Sequence, residues 1–316
     1  MLSSAGRRAP ARVRRGRWPA ATTVVAGVIG DPVDHSLSPV LHNAAFAELG
    51  LDWAYVAFPV PSGRARAAVA SMVDLGIRGL SVTMPHKTGA AEACQRLSPV
   101  AQRLGVVNTV TNVGGELVGD STDGAGFVDS LADLGWSPKA KRCLVLGSGG
   151  AARAVVLALA EAGAACVEVV GRRRDQVLAT VALAGNVGAE ATVSSAEAAD
   201  LIVNATPVGM AGVGTDPKSL PFDLVEATLG PGQLVTDLIY APATTPLIAA
   251  ARARGSSTCN GLGMLIHQAA RQVKIWTGRD APVEAMSAAA LRELGHRAGR
   301  GQLGTLPHFG AAPPAL

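Results

Sequence analysis

The chain has 316 residues, 48% of them hydrophobic, with a formal net charge of +4, enough for one large or two ordinary globular domains. Arg7, Arg8, Arg12, Arg14, Arg15 and Arg17 precede residue 18, so taking these six arginines from +4 leaves about −2 for the rest, which excludes a nucleic-acid surface. No uncharged apolar run approaches the roughly 20 residues that cross a bilayer, and Cys94, Cys143, Cys166 and Cys259 are too scattered for a zinc site or a disulfide framework.

Residues 1–22 read as a basic arm outside the fold, with no apolar segment after it to make a secretory signal; a transit peptide shares this composition and stays open. TTVVAGVIG predicts a strand, LSPVLHNAAFAELG a helix closed by glycine, WAYVAFPV a strand, RARAAVASMVDLG a helix, and IRGLSVTMP a strand ended by proline. Alternation of this kind predicts a mostly parallel sheet covered by helices. A second unit opens near residue 124 with the helix GFVDSLADLG, the turn WSPKAK and the strand RCLVLGSGG, then alternates through ACVEVVG, ADLIVNATP and QLVTDLIY. The helical segments in NGLGMLIHQAARQVKIWTG and VEAMSAAALREL follow and are placed to pack back on the first unit, which would make that unit discontinuous: 23–123 completed by 260–296, with 124–259 between. The Gly- and Pro-rich stretch 297–316 reads as a disordered tail.

Gly147-Ser148-Gly149-Gly150-Ala151-Ala152 fits G-x-G-x-x-A between an apolar strand and an amphipathic helix. Its glycines would let helix N-terminal amides approach a pyrophosphate; a purely structural turn is the alternative. The next strand ends in Gly171-Arg172-Arg173-Arg174, where a site for NAD would usually offer a carboxylate to the adenosine ribose. Guanidinium groups there suit a 2′-phosphate and therefore NADP; a solvated charge run is the other reading. Four polar clusters, DHSLSPVLHN, SVTMPHK, GVVNTV and GDSTDGAG, interrupt otherwise apolar sequence. Taken singly, Ser38 could be a cap, Asn108 a turn residue and Asp123 an Asx turn. Their concurrence beside a nucleotide-binding unit points to a ligand site. His35, His42, His86 and His267 lie near these motifs without a carboxylate or cysteine at metal-ligand spacing, so solvent-edge or packing roles are expected and no metal.

VIGDPVDHSLSPVLHN, SVTMPHK, VVNTV, GDSTDGAG, GSGGAARA, NATPVGM, DLIYAPATTPLI and NGLGMLIHQA, in this order from about residue 24 to 295, resemble the motifs of the shikimate dehydrogenase family. The resemblance implies an α/β protein with an N-terminal substrate domain and a Rossmann-like, doubly wound NADP domain. The implied activity is reversible NADPH-dependent reduction of 3-dehydroshikimate to shikimate by a cytoplasmic enzyme, monomer or homodimer. It further implies Lys87 and Asp123 as catalytic residues and Ser36, Ser38, Thr83, Asn108, Tyr240 and Gln268 as substrate-binding ones. For the cofactor it implies Gly147, Ser148, Gly149, Gly150, Ala151, Arg172, Arg173, Asn204, Thr206, Leu238 and Gly261. The chain departs from the family twice, with Ser81 before V-T-x-P and Ser121 before T-D-G, each where the family often has Asn. A quinate or dual-specificity dehydrogenase shares nearly all these residues, although quinate-preferring relatives tend to have Thr where this chain has Ser38. A non-catalytic sensor of the same metabolites could shed the proton-transfer pair freely, and here both Lys87 and Asp123 are present.

Overall fold

A computed structural model describes residues 19–210 and 219–299. The first unit runs β1 (Val24–Gly30), α1 (Ser38–Glu48), β2 (Trp53–Pro59), α2 (Ala65–Asp74), β3 (Gly79–Val82), α3 (Lys87–Ala91), β4 (Arg96–Leu97), α4 (Pro99–Leu104), β5 (Thr109–Val113) and β6 (Glu116–Asp120). Then come α5 (Asp123–Asp133), β7 (Arg142–Leu146), α6 (Gly150–Glu161), β8 (Cys166–Val170), α7 (Arg174–Val181), β9 (Gly188–Glu190), β10 (Leu201–Asn204), β11 (Leu234–Asp237), α8 (Pro246–Ala253) and β12 (Ser257–Asn260). The chain closes with α9 (Leu262–Thr277) and α10 (Val283–Gly299). Among the described residues no helix is long and apolar enough to cross a membrane.

Two six-stranded sheets result. The second has the order β12-β11-β10-β7-β8-β9 with all neighbours parallel, the doubly wound arrangement whose strand order reverses beside β7 and so opens a crevice at the carboxyl ends of β7 and β10. The first sheet, β2-β1-β3-β5-β6-β4, is more mixed than the sequence reading anticipates. β1 lies parallel to β2 and β3, but β5 runs antiparallel to β3 and to β6. The cause is local: Gly114 and Gly115 take φ of 62° and 97°, and a two-residue glycine turn of positive φ folds β5 and β6 into a hairpin. Asn112 Oδ1 accepts the Gly115 N–H at 2.9 Å.

α9 and α10 return to the first sheet. Leu262, Ile266, Ala269, Val273 and Trp276 of α9 and Met286, Ala290 and Leu294 of α10 share one core with Ala26, Val28, Leu41, Phe46 and Tyr55. α10 continues through Gly299, so Arg297, Ala298 and Gly299 are helical, contrary to the expectation of a disordered tail from residue 297. The rest of that tail, and the basic arm apart from residues 19–22, lie outside the described residues.

α5 joins the units and is clamped by both. A Cβ on Gly124 would stand 2.4 Å from Ala154 O of α6, and one on Gly126 would stand 2.5 Å from the Gln268 N of α9. These glycines of the D-G-A-G motif therefore permit close helix packing. Their spacing puts the start of α5, and Asp123 with it, between the two sheets.

Candidate active site

Lys87 opens α3 immediately after the turn that follows β3, and Asp123 opens α5 immediately after β6. Strands β3, β5 and β6 are neighbours, so two residues 36 positions apart meet: Lys87 Nζ donates to Asp123 Oδ2. The other carboxylate oxygen, Oδ1, accepts Asn108 Nδ2 at 2.7 Å. Asn108 cannot turn over, because its Oδ1 already accepts from Thr109 Oγ1 at 2.7 Å and from the Thr122 N–H at 2.9 Å. Its Nδ2 also reaches Gln268 Oε1 of α9 at 3.4 Å. Asn108, Asp123 and Gln268 are all buried, whereas the Lys87 side chain keeps 18% exposure.

Ser36 and Ser38 sit on the turn after β1, the Ser36 hydroxyl accepting the Ser38 N–H at 3.2 Å. Thr83 packs its methyl against Gly30, whose Cβ would stand 2.5 Å from Thr83 Cγ2. Tyr240 reaches out of the second unit to pack on the first unit's core. The predicted substrate residues are thus drawn from the loop after β1, the start of α1, the segments after β3 and before β5, α9 and the segment after β11.

Behind them lies a polar network that sequence reasoning missed. Gln272, fully buried, accepts the Ser81 hydroxyl at 2.7 Å and donates to Thr109 Oγ1 at 3.0 Å and Asn108 O at 3.3 Å. Tyr55 donates to Ser81 Oγ at 2.5 Å. Ser81, one of the two departures from the family motifs, is therefore fully engaged by neighbours; Ser121, the other, donates its N–H to Asp120 Oδ1 at 2.7 Å. His42 stacks on Tyr55 with ring centroids 4.0 Å apart and shares a hydrogen bond with Ser38 O at 2.8 Å. Burial pushes His42 down to about 4 and the Tyr55 phenol up, so both rings stay neutral. The only signal available was that Gln272 lies one helical turn after Gln268, on the same face of α9.

On the other side of the crevice, the glycine loop closes β7 onto α6. Gly147 has φ of 124°, and its Cβ would stand 3.0 Å from Ala205 O, whereas a Cβ on Gly149 would meet nothing within 4 Å. Ser148, Gly149, Gly150 and Ala151 thus form an open cradle at the N-terminus of a 12-residue helix, and these residues fit a phosphate group. Of the three arginines after β8, Arg174 is bound to Glu190. Arg172 and Arg173 are exposed and form no ion pair among the described residues, which leaves two guanidinium groups at the carboxyl end of β8 without a carboxylate partner. Thr206 lies two residues beyond β10 and Leu238 directly follows β11. Gly261 packs tightly on that segment, since a Cβ there would stand 1.9 Å from Leu238 O.

The Asn204 side chain is held within the protein. Its amide donates to Val208 O and Asp237 Oδ1, both at 3.1 Å, and its oxygen accepts from Thr206 N–H and Oγ1. The buried side chain thus shapes the NATP turn. Asp237 below it also accepts from Ile239 N–H and Thr245 Oγ1, yet burial outweighs these donors and raises it to about 6.

His86 and His267 are structural: His86 meets Val60 O at 2.7 Å and His267 meets Asp133 Oδ2 at 2.7 Å, while the His35 side chain is exposed. Among the described residues no group of three or more His, Cys, Asp or Glu is placed to hold a metal ion. The two halves of the crevice are close: a Cβ on Gly150 would be 3.7 Å from Lys87 Cδ, so the lysine stem lies against the first residue of α6.

A doubly wound nucleotide-binding unit facing a Lys–Asp pair defines the class of two-domain α/β oxidoreductases. Within that class, family profiles match at residues 28–110, the shikimate dehydrogenase substrate binding domain, and 261–291, the shikimate 5′-dehydrogenase C-terminal domain. The chain is 40% identical over 289 residues to shikimate dehydrogenase (NADP(+)) of Moorella thermoacetica, covering 88% of this chain and 96% of the relative. It is 44% identical over 284 residues to the same-named protein of Citrifermentans bemidjiense, covering 86% and 96%. The crystal structure of shikimate 5-dehydrogenase from Thermus thermophilus in complex with NADP(H) and shikimate superposes with a TM-score of 0.79 at 37% identity, covering 85% of this chain and 99% of that one. The chain belongs to the shikimate dehydrogenase family.

Proposed function

We propose that this protein catalyses the reversible, NADPH-dependent reduction of 3-dehydroshikimate to shikimate. The observation that carries the reading is the Lys87–Asp123 pair, with the lysine stem beside Gly150 of the Gly147–Ala151 loop. NADPH, when bound, supplies the hydride that converts the ketone. Lys87 Nζ carries the proton taken up by the substrate oxygen and, as an ammonium, stabilises the negative charge that grows there. Asp123 aims that ammonium through Oδ2, and Asn108 fixes the carboxylate through Oδ1. In the oxidation direction the neutral amine takes the proton back.

Ser36 and Ser38 would hold the carboxylate end of the substrate. Thr83, Asn108, Asp123 and Gln268 would surround the ring hydroxyls, with Tyr240 closing the site from the second unit. Arg172 and Arg173 would hold the 2′-phosphate, while Thr206, Leu238 and the Gly261 turn would border the nicotinamide end. Four free thiols fit a reducing, cytoplasmic setting.

The test is the rise in absorbance of the reduced nicotinamide, NADPH or NADH, with shikimate and with quinate, each offered with NADP and with NAD. Shikimate with NADP should react fastest. Quinate as the better substrate would move the protein to the quinate branch of the family, and no reaction in any combination would favour a non-catalytic metabolite sensor.

A further inference from the structure

The last turn of α10 carries a cation to the back of the pocket. Arg297 Nη1 donates to His35 O at 2.7 Å, and its Nε donates to Glu293 Oε1, one turn earlier, at 2.8 Å. The Arg297 side chain keeps 18% exposure, so the guanidinium is largely enclosed against the loop and is screened less than a surface charge. His35 immediately precedes Ser36. The loop from His35 to Ser38 is thus held at three points by groups outside it: Arg297 at His35 O, His42 at Ser38 O, and Tyr240, whose phenol meets the backbone of Leu37. The charge of Arg297 also reaches Tyr240, opposing the burial that raises the phenol. Glu293 offsets part of that charge, and the side chains of Asp34, His35 and His296 nearby are exposed.

The geometry points to Arg297 as a positioning residue for an anionic substrate: it fixes the Ser36–Ser38 turn through His35 O and biases that end of the pocket toward a carboxylate. This rests on the reading that the two serines meet the substrate carboxylate. A hydrogen bond from a charged donor is strong enough for its loss to be read in KM.

The experiment uses the full-length protein with Arg297→Gln and Arg297→Lys. KM and kcat are measured for shikimate, for its uncharged methyl ester and for NADP, alongside the thermal midpoint. Arg297→Gln should raise the shikimate KM on the order of tenfold while kcat and the NADP KM stay within about twofold. The preference for acid over ester should fall by about threefold or more, and Arg297→Lys should lie between. An unchanged shikimate KM, an equal rise for acid and ester, or a matching change in the NADP KM would overturn the assignment. A wild-type protein inactive on shikimate would overturn the proposed function and this inference with it, whereas an active wild type with an indifferent variant would sink this inference alone.

Discussion

Replacing Asp123 with Asn tests the pair without changing its shape. The carboxylate accepts from two donors, Lys87 Nζ on Oδ2 and Asn108 Nδ2 on Oδ1. An amide has one acceptor oxygen, so in either orientation of the introduced side chain its NH2 group faces another donor. Asn108 cannot relieve the conflict by turning, because Thr109 and Thr122 hold its oxygen. The variant therefore forfeits a charge-assisted hydrogen bond of about 1.5–3 kcal/mol, equivalent to roughly 10- to 150-fold in rate if the whole loss falls on the transition state. Lys87→Ala removes the proton carrier itself and should cost 10²- to 10⁴-fold, on the order expected of a general acid. Because the two residues act as one unit, the double variant should be no slower than Lys87→Ala. The assay is steady-state shikimate oxidation followed by NADPH absorbance, with the NADP KM as control. Asp123→Asn within threefold of wild type, or a double variant whose loss is the product of the two single losses, would refute the reasoning.

Replacing Arg172 and Arg173 together by Ala should raise the NADP KM about 10- to 100-fold and leave the NAD KM within about twofold; equal changes for both cofactors would remove the arginines from 2′-phosphate recognition. Gly261→Ala places a Cβ 1.9 Å from Leu238 O; main chain must move, at a cost of about 1–3 kcal/mol or more, and differential scanning calorimetry should show a fall of several degrees, an unchanged midpoint contradicting the packing. His42 is held neutral, its value lowered from 6.5 to about 4 chiefly by burial, so the folded state should lose about 2–3 kcal/mol of stability as pH falls from 6.5 toward 4. Asp237, raised by burial to about 6, acts in the opposite sense, its contribution being lost as pH rises from about 4 to 6. Urea unfolding of wild type and His42→Gln at pH 4.5 and 7.5 cancels the Asp237 contribution, and the variant should lack the His42 part of the acid loss; identical pH dependence in both proteins would contradict it.

The alternation of strands and helices, the glycine loop between β7 and α6 and the exposed arginines after β8 were legible because each rests on local pattern: an apolar strand, a positive-φ glycine, a helix start. The Lys87–Asp123 contact was legible only through the motifs, since neither residue's neighbours along the chain reveal the other. The β5–β6 hairpin was missed although Gly114-Gly115 carries a turn signal, because attention to the polar residues of VVNTV hid the short strand that begins inside it. Gln272 was invisible for a different reason. It bonds to Ser81 and Asn108 across separations of 191 and 164 residues, and a glutamine on a helix face is ordinarily solvent-facing. Arg297 was lost to composition, because the glycines and prolines beyond it made its surroundings resemble a tail, whereas the apolar positions Met286, Ala290 and Leu294 continue the helix to its last turn.

The pH dependence of shikimate oxidation in wild type and Lys87→Ala tests the proton-transfer role most directly. The amine takes the proton that the alcohol gives up on oxidation, so kcat of the wild type should depend on pH, while Lys87→Ala should be slow and lose that dependence. A flat wild-type profile, or the same slope in the variant, would contradict the assignment of Lys87 as the proton carrier.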